Sequence, residues 1–133
     1  MISAVQSAVT VWVRHEERPT ERRAPIVPED AARLVDQGIE VVVEESRHRA
    51  LPIEDYVAAG CRVAPSGSWV EAPAETYVLG VKELPEPPTA LRHRHIYFGH
   101  AYKGQAGSRE LLSRFVAGGG ALNVKLNQRI IAR

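Results

Sequence analysis

The sequence predicts an α/β fold: an open, mostly parallel sheet with flanking helices. Two observations carry this. Short runs rich in β-branched residues alternate with helix-period patterns along the whole chain, and each helix pattern closes on a glycine that leads into the next apolar run.

The elements follow in order. AVTVWVR, Ala8 to Arg14, is β-branched and aromatic and reads as a first strand. The polar loop HEERPTERRAPIVP comes next, and Pro28 with Glu29 and Asp30 opens a helix, proline in the first turn and acids at the positive end of the dipole. Ala31, Leu34 and Val35 share a face, and Gly38 is placed to end the helix. IEVVVEE, Ile39 to Glu45, is a second strand. Pro52 starts a short helix with Ile53, Tyr56 and Val57 on one face; Gly60 stops it, and CRVA follows as a third strand. TYVLGVK, Thr76 to Lys82, is a fourth strand, and HIYFGH, His95 to His100, a fifth. LPEPPTALRHRH is the loop between them. A last helix, Ser108 to Val116, is expected to bury Leu111, Leu112, Phe115 and Val116. Gly118 to Gly120 end it, and ALNVKL is a closing strand.

The 133 residues fit one compact domain or one lobe of something larger, and an apolar share of 44% can supply a core. Seventeen Lys and Arg against 16 Asp and Glu leave a net charge of +1, with the signs interleaved. That balance argues against nucleic acid or an anionic membrane as partner, since both need a concentrated positive field. Cys61 has no second cysteine to pair with and reads as a reduced, packed thiol. No apolar run approaches the ~20 residues that span a membrane. The N-terminus lacks the basic flank and apolar block of a secretion signal, so a cytoplasmic protein is expected.

In open parallel sheets ligands collect at the carboxyl ends of the strands. Arg18, Arg22 and Arg23 follow the first strand here. Lys82-Glu83 end the fourth, and His100, Tyr102, Lys103 and Gln105 end the fifth. Each member has a plainer explanation. The arginines can pair with Glu16, Glu17 and Glu21, Lys82 can snorkel, and His100 can cap backbone. His93 and His95 form an HxH pair in a loop, but no further ligand at suitable spacing supports a metal. No GxSxG, P-loop or GxGxxG occurs, and the AGGGAL run follows a helix rather than a strand. Taken together, arginine forks suit carboxylates, and Lys and His suit proton transfer near neutral pH. The residues point to a small, multiply carboxylated substrate undergoing proton transfer.

The chain resembles the N-terminal domain of the NAD-dependent, lysine-forming saccharopine dehydrogenases, within the wider alanine dehydrogenase and pyridine nucleotide transhydrogenase family. The resemblance runs from about Val11 to Leu122. It rests on RHEERPTERRAPIVPEDAARLVDQG, VEES with IEDYVAAGC, APSGSW, GVKELP and YFGHAYKGQAG. It implies a Rossmann-like substrate-side domain. It also implies oxidation of saccharopine by NAD in the full-length family, with hydrolysis to lysine and 2-oxoglutarate. By motif it implies Lys82 and His100 as the acid–base pair. Arg23 and Gln105 then contact substrate, as does Lys82 itself, with Lys103 and Arg18 as further basic positions on the same rim.

The pattern departs from the family after Leu122. The expectation is a domain over 1–122 and a divergent tail over 123–133, with the nucleotide-binding domain absent. The expected partners are saccharopine, 2-oxoglutarate or lysine. No cofactor is expected on this chain alone, which would then be a truncated form incompetent for hydride transfer. Self-association through exposed apolar surface is a further expectation. Other readings are a non-catalytic module that binds 2-oxoglutarate or amino acids, a relict product, and an alanine dehydrogenase relative.

Overall fold

A computed structural model describes residues 9–17, 19–81, 88–97 and 108–124. Six strands form one sheet: β1 (Thr10–Val13), β2 (Glu40–Glu44), β3 (Arg62–Ala64), β4 (Tyr77–Leu79), β5 (Arg94–Tyr97) and β6 (Ala121–Val124). Their spatial order is β3-β2-β1-β4-β5-β6, and every neighbouring pair is parallel. The connections from β1 therefore run to one side of the sheet and those from β4 to the other. The order reverses between these two strands, which leaves a crevice at their carboxyl ends.

Helix α1 (Pro28–Asp36) begins where Pro28 needs no amide partner, and Glu29 and Asp30 occupy its first turn. Gly38, with φ 87°, turns the chain out of it. Helix α2 (Ile53–Ala58) starts after Pro52 and ends at Gly60, with φ 101°. These helices cover a core of Val13, Ala31, Val41, Val43, Tyr56 and Cys61. A second core joins Trp69, Val78, Leu91, Tyr97 and Phe115, with Trp12 packed on it. Trp12 and Val13 serve opposite cores because successive strand residues point to opposite faces. Three buried valines in a row, Val41 to Val43, suit a strand covered on both sides.

Some readings need correction. The stretch after β3 contains a 3₁₀ turn over Ser68–Glu71 that buries Trp69, an element absent from the sequence reading. Helix α3 (Ser108–Gly118) runs past Val116, and Val116 is 84% exposed, so it does not join the core. His95 lies in β5, as the strand reading from His95 expected, while the HxH pair read as a loop feature is buried at both His93 and His95. The glycines at the end of α3 and just past it also do more than stop a helix. A Cβ on Gly118 or Gly120 would lie 2.3 or 2.4 Å from the backbone of Leu91 and His93, and Gly120 donates its N–H to the Leu91 carbonyl at 3.0 Å.

Candidate functional site at the sheet's carboxyl rim

β1 delivers Arg14, His15 and Glu16 directly onto the rim. The Arg14 side chain is fully buried, 3.7 Å from Glu16. Its guanidinium carbon sits 5.6 Å from the centre of the Tyr97 ring, at the end of β5. Burial lowers its pKa, with Glu16, Tyr97 and Glu44 opposing. An arginine stays charged through such a shift. Glu16 turns the other way and accepts the Val81 N–H at 2.8 Å. Val81 is buried just past β4, and Lys82 is the next residue in the chain.

β2 delivers Glu44, whose side chain is inaccessible to solvent. The carboxylate accepts hydrogen bonds from the Trp12 indole (2.8 Å), the His15 amide (3.0 Å), the His15 ring (2.9 Å), and the Gly67 and Trp69 amides (2.8 Å each). Burial works to raise the Glu44 pKa, but the bonds from His15, Gly67 and Trp12 outweigh it and the net shift is downward. The second His15 nitrogen faces Glu17 at 3.0 Å. The bond to Glu44 is the main cause of a raised His15 pKa, and burial opposes it.

The β1–α1 loop is pinned further along. Arg22 accepts the Ala50 N–H through its carbonyl at 2.8 Å, and the Tyr56 hydroxyl donates to the Ile26 carbonyl at 2.7 Å. Between them the buried carboxylate of Glu21 grips Arg23 through Nε (2.8 Å) and Nη2 (2.9 Å). The Glu21 bond is the main cause of a raised Arg23 pKa. The pairing with Glu21 weighed from the sequence is thus present. It also aims the fork, since about half of the Arg23 side chain stays open to solvent.

Among the sequence-predicted site residues, Arg23 is the one within the described residues, in the β1–α1 loop, paired with Glu21 and within electrostatic reach of Glu16. Lys82, His100, Gln105, Lys103 and Arg18 lie outside the described residues. The sequence reading passed over Arg14, His15, Glu16 and Glu44 as functional candidates. Their signal was an ionisable residue at the end of a strand that is otherwise apolar, in VWVRHE and EVVVEE.

The β1–α1 turn differs from a glycine-rich pyrophosphate-binding turn. No glycine occurs between Arg14 and Val27 to let backbone approach a pyrophosphate. Arg14 occupies the space at Gly80, and the first turn of α1 carries two acids where phosphate would need bare amides. A shallow groove of about 310 Å³ opens at the opposite, amino-terminal rim, lined by residues that include Glu75, Arg92 and Arg94. It is remote from the strand ends that carry Arg14, His15, Glu16 and Glu44. No helix among the described residues is long and apolar enough to cross a membrane.

A parallel sheet with this crossover is the doubly wound α/β architecture, here that of an N-terminal domain in the alanine dehydrogenase/PNT family. The chain belongs to that family: residues 12–123 match the alanine dehydrogenase/PNT N-terminal domain. Among curated proteins it is 43% identical over 113 residues to the saccharopine dehydrogenase [NAD(+), L-lysine-forming] of Schizosaccharomyces pombe. It is 44% identical over 118 residues to the enzyme of that name from Candida albicans. The matches cover 84% and 88% of this chain but only 31% of each relative. In fold it is similar to a solved L-alanine dehydrogenase, with a TM-score of 0.72 at 24% identity over 87% of this chain and 32% of that one.

Proposed function

We propose that the chain is the substrate-side part of a saccharopine dehydrogenase. The carboxyl rim at the β1/β4 crossover would bind a small dicarboxylate amino acid, and Lys82 and His100 would move its protons. The observation that carries this is the Arg23 fork, held by buried Glu21 and open to solvent in the loop that follows β1. An arginine oriented in this way recognises a carboxylate with little loss of side-chain freedom. Lys103, Gln105 and Arg18 would complete the grip, by their match to the family's motifs.

The chemistry assigned to these residues is narrow. Oxidation of a secondary amine leaves an imine, and water must add to it before carbon–nitrogen cleavage. Lys82 and His100 would take and return the protons of those steps, with one acting as base while the other acts as acid. NAD is the oxidant named for the relatives. Its dinucleotide would sit away from the β1–α1 turn, for the reasons given above.

Titration calorimetry of the chain with saccharopine and with 2-oxoglutarate tests the reading. Binding is expected in the millimolar range or tighter, and Arg23→Met should weaken it about 10-fold, the loss of one charge-assisted pair. No heat at millimolar ligand from the folded chain would end it.

A further inference from the structure

We propose that Arg49, in the loop after β2, is a second carboxylate-binding residue beside Arg23, and that the pair selects ligands with two carboxylates over ligands with one. This rests on the reading of Arg23 as a carboxylate fork. Arg49 itself sits in a polar run, Ser46 to Arg49, that carries no motif.

Neutral groups fix Arg49 in place. Its Nη1 donates to the Glu44 carbonyl at 2.8 Å, at the carboxyl end of β2. Its guanidinium carbon lies 5.6 Å from the centre of the Tyr56 ring. That ring is fixed in turn, since Tyr56 is fully buried and its hydroxyl donates to the Ile26 carbonyl at 2.7 Å. The next residue, Ala50, donates its N–H to the Arg22 carbonyl at 2.8 Å. Arg49 thus precedes the donor of this backbone bond and Arg23 follows its acceptor. Both guanidiniums also lie within electrostatic reach of Glu16.

The two arginines differ in what neutralises them. Glu21 binds Arg23 through two of its nitrogens. Arg49 has no ion-pair partner among the described residues, and Nη1 is its one nitrogen engaged there. Its Nε and Nη2, an edge that can take a carboxylate side-on, are left without a partner among those residues. The residue is partly buried, and desolvation is the main cause of its lowered pKa, with Tyr56, Glu16 and Glu44 opposing. A partly desolvated guanidinium, oriented but not neutralised, gains from a carboxylate that arrives from solution. A plain staple between the end of β2 and α2 would need only the carbonyl and the ring.

Glutarate and valerate are acids of equal length with two carboxylates and one. Their binding, followed by amide shifts in NMR titrations to tens of millimolar, tests this. The folded wild type should bind glutarate about 10-fold tighter than valerate, and Arg49→Met and Arg23→Met should each weaken glutarate about 10-fold. Each should leave valerate within about 3-fold, because its single carboxylate can use the arginine that remains. Arg49→Lys keeps the charge but not the planar fork, and should lose about 3-fold for glutarate alone; it decides the matter if Arg49→Met does not fold. Equal weakening of both acids would make Arg49 a staple. That result, or unchanged glutarate binding in Arg49→Met, overturns the proposal and leaves the reading of Arg23 standing. Glutarate binding weakened by Arg49→Met but not by Arg23→Met overturns the pair together with the reading of Arg23. No glutarate binding by the folded wild type overturns both.

Discussion

Glu44 receives five hydrogen bonds on two buried oxygens, all from donors that would otherwise point at one another. A glutamine there keeps the shape but turns an NH₂ toward N–H groups. Glu44→Gln should therefore cost about 2–4 kcal/mol in urea unfolding, and loosen the Gly67–Trp69 turn first in hydrogen exchange. His15, between Glu44 and Glu17, gives a test with a definite sign. Its pKa is raised in the folded state above the ordinary 6.5. Its stabilisation is then complete below 6.5 and lost as pH rises through the folded value. The unfolding free energies of wild type and His15→Gln should differ by about 1 kcal/mol near pH 6, a modest figure because the pair is partly solvated, and the gap should narrow as pH rises through the folded value. A gap that widens with pH would contradict this charge arrangement.

Among the elements, the glycine just past β4 shows how the crevice constrains sequence. Gly80→Ala drives a Cβ to 2.3 Å from the buried Arg14 guanidinium, whereas Gly119→Ala meets open space and suffers only from its φ of 77°. The first should cost about 3 kcal/mol or more and the second about 1, measured by thermal or chemical unfolding. Only part of this organisation was legible in the sequence. The helix starts at Pro28 and after Pro52, and the exits at Gly38 and Gly60, are local signals set by ring and φ chemistry, and so could be read directly. The 3₁₀ turn at Ser68–Glu71 exists because a carboxylate from β2 accepts the Gly67 and Trp69 amides, a contact across more than twenty residues that no local pattern carries. For the same reason Arg14, a strand end in the sequence, is recognised as part of the rim only when Glu16, Gly80 and Tyr97 close around it.

For the molecule as a whole, the pH limits of folding are set by histidines in opposite situations. His95 is 1% exposed and packs edge-to-face on Trp69, His93 and Phe115; neither ring nitrogen has a hydrogen-bond partner among the described residues. Burial, reinforced by Arg14, lowers its pKa from 6.5 to about 3. The folded chain keeps this ring neutral while the unfolded chain protonates it below pH 6.5. Stability is thus intact above 6.5, falls as pH drops, and stops falling from this cause below about 3. Across that window the loss is roughly 3–5 kcal/mol, a large part of the margin of a small domain. The Glu44 carboxylate, with its lowered pKa, adds a further loss below about 4.5, so the two act together at the acid end. His95→Leu removes the titrating ring and its two unpaired nitrogens while leaving an apolar group against Trp69 and Phe115. It should flatten the decline between pH 6.5 and 4.5 and leave below 4.5 only the part that carboxylates such as Glu44 cause, as followed by circular dichroism in urea at each pH. An unchanged slope above 4.5 would mean that His95 is solvated or paired in solution and that the acid limit lies elsewhere.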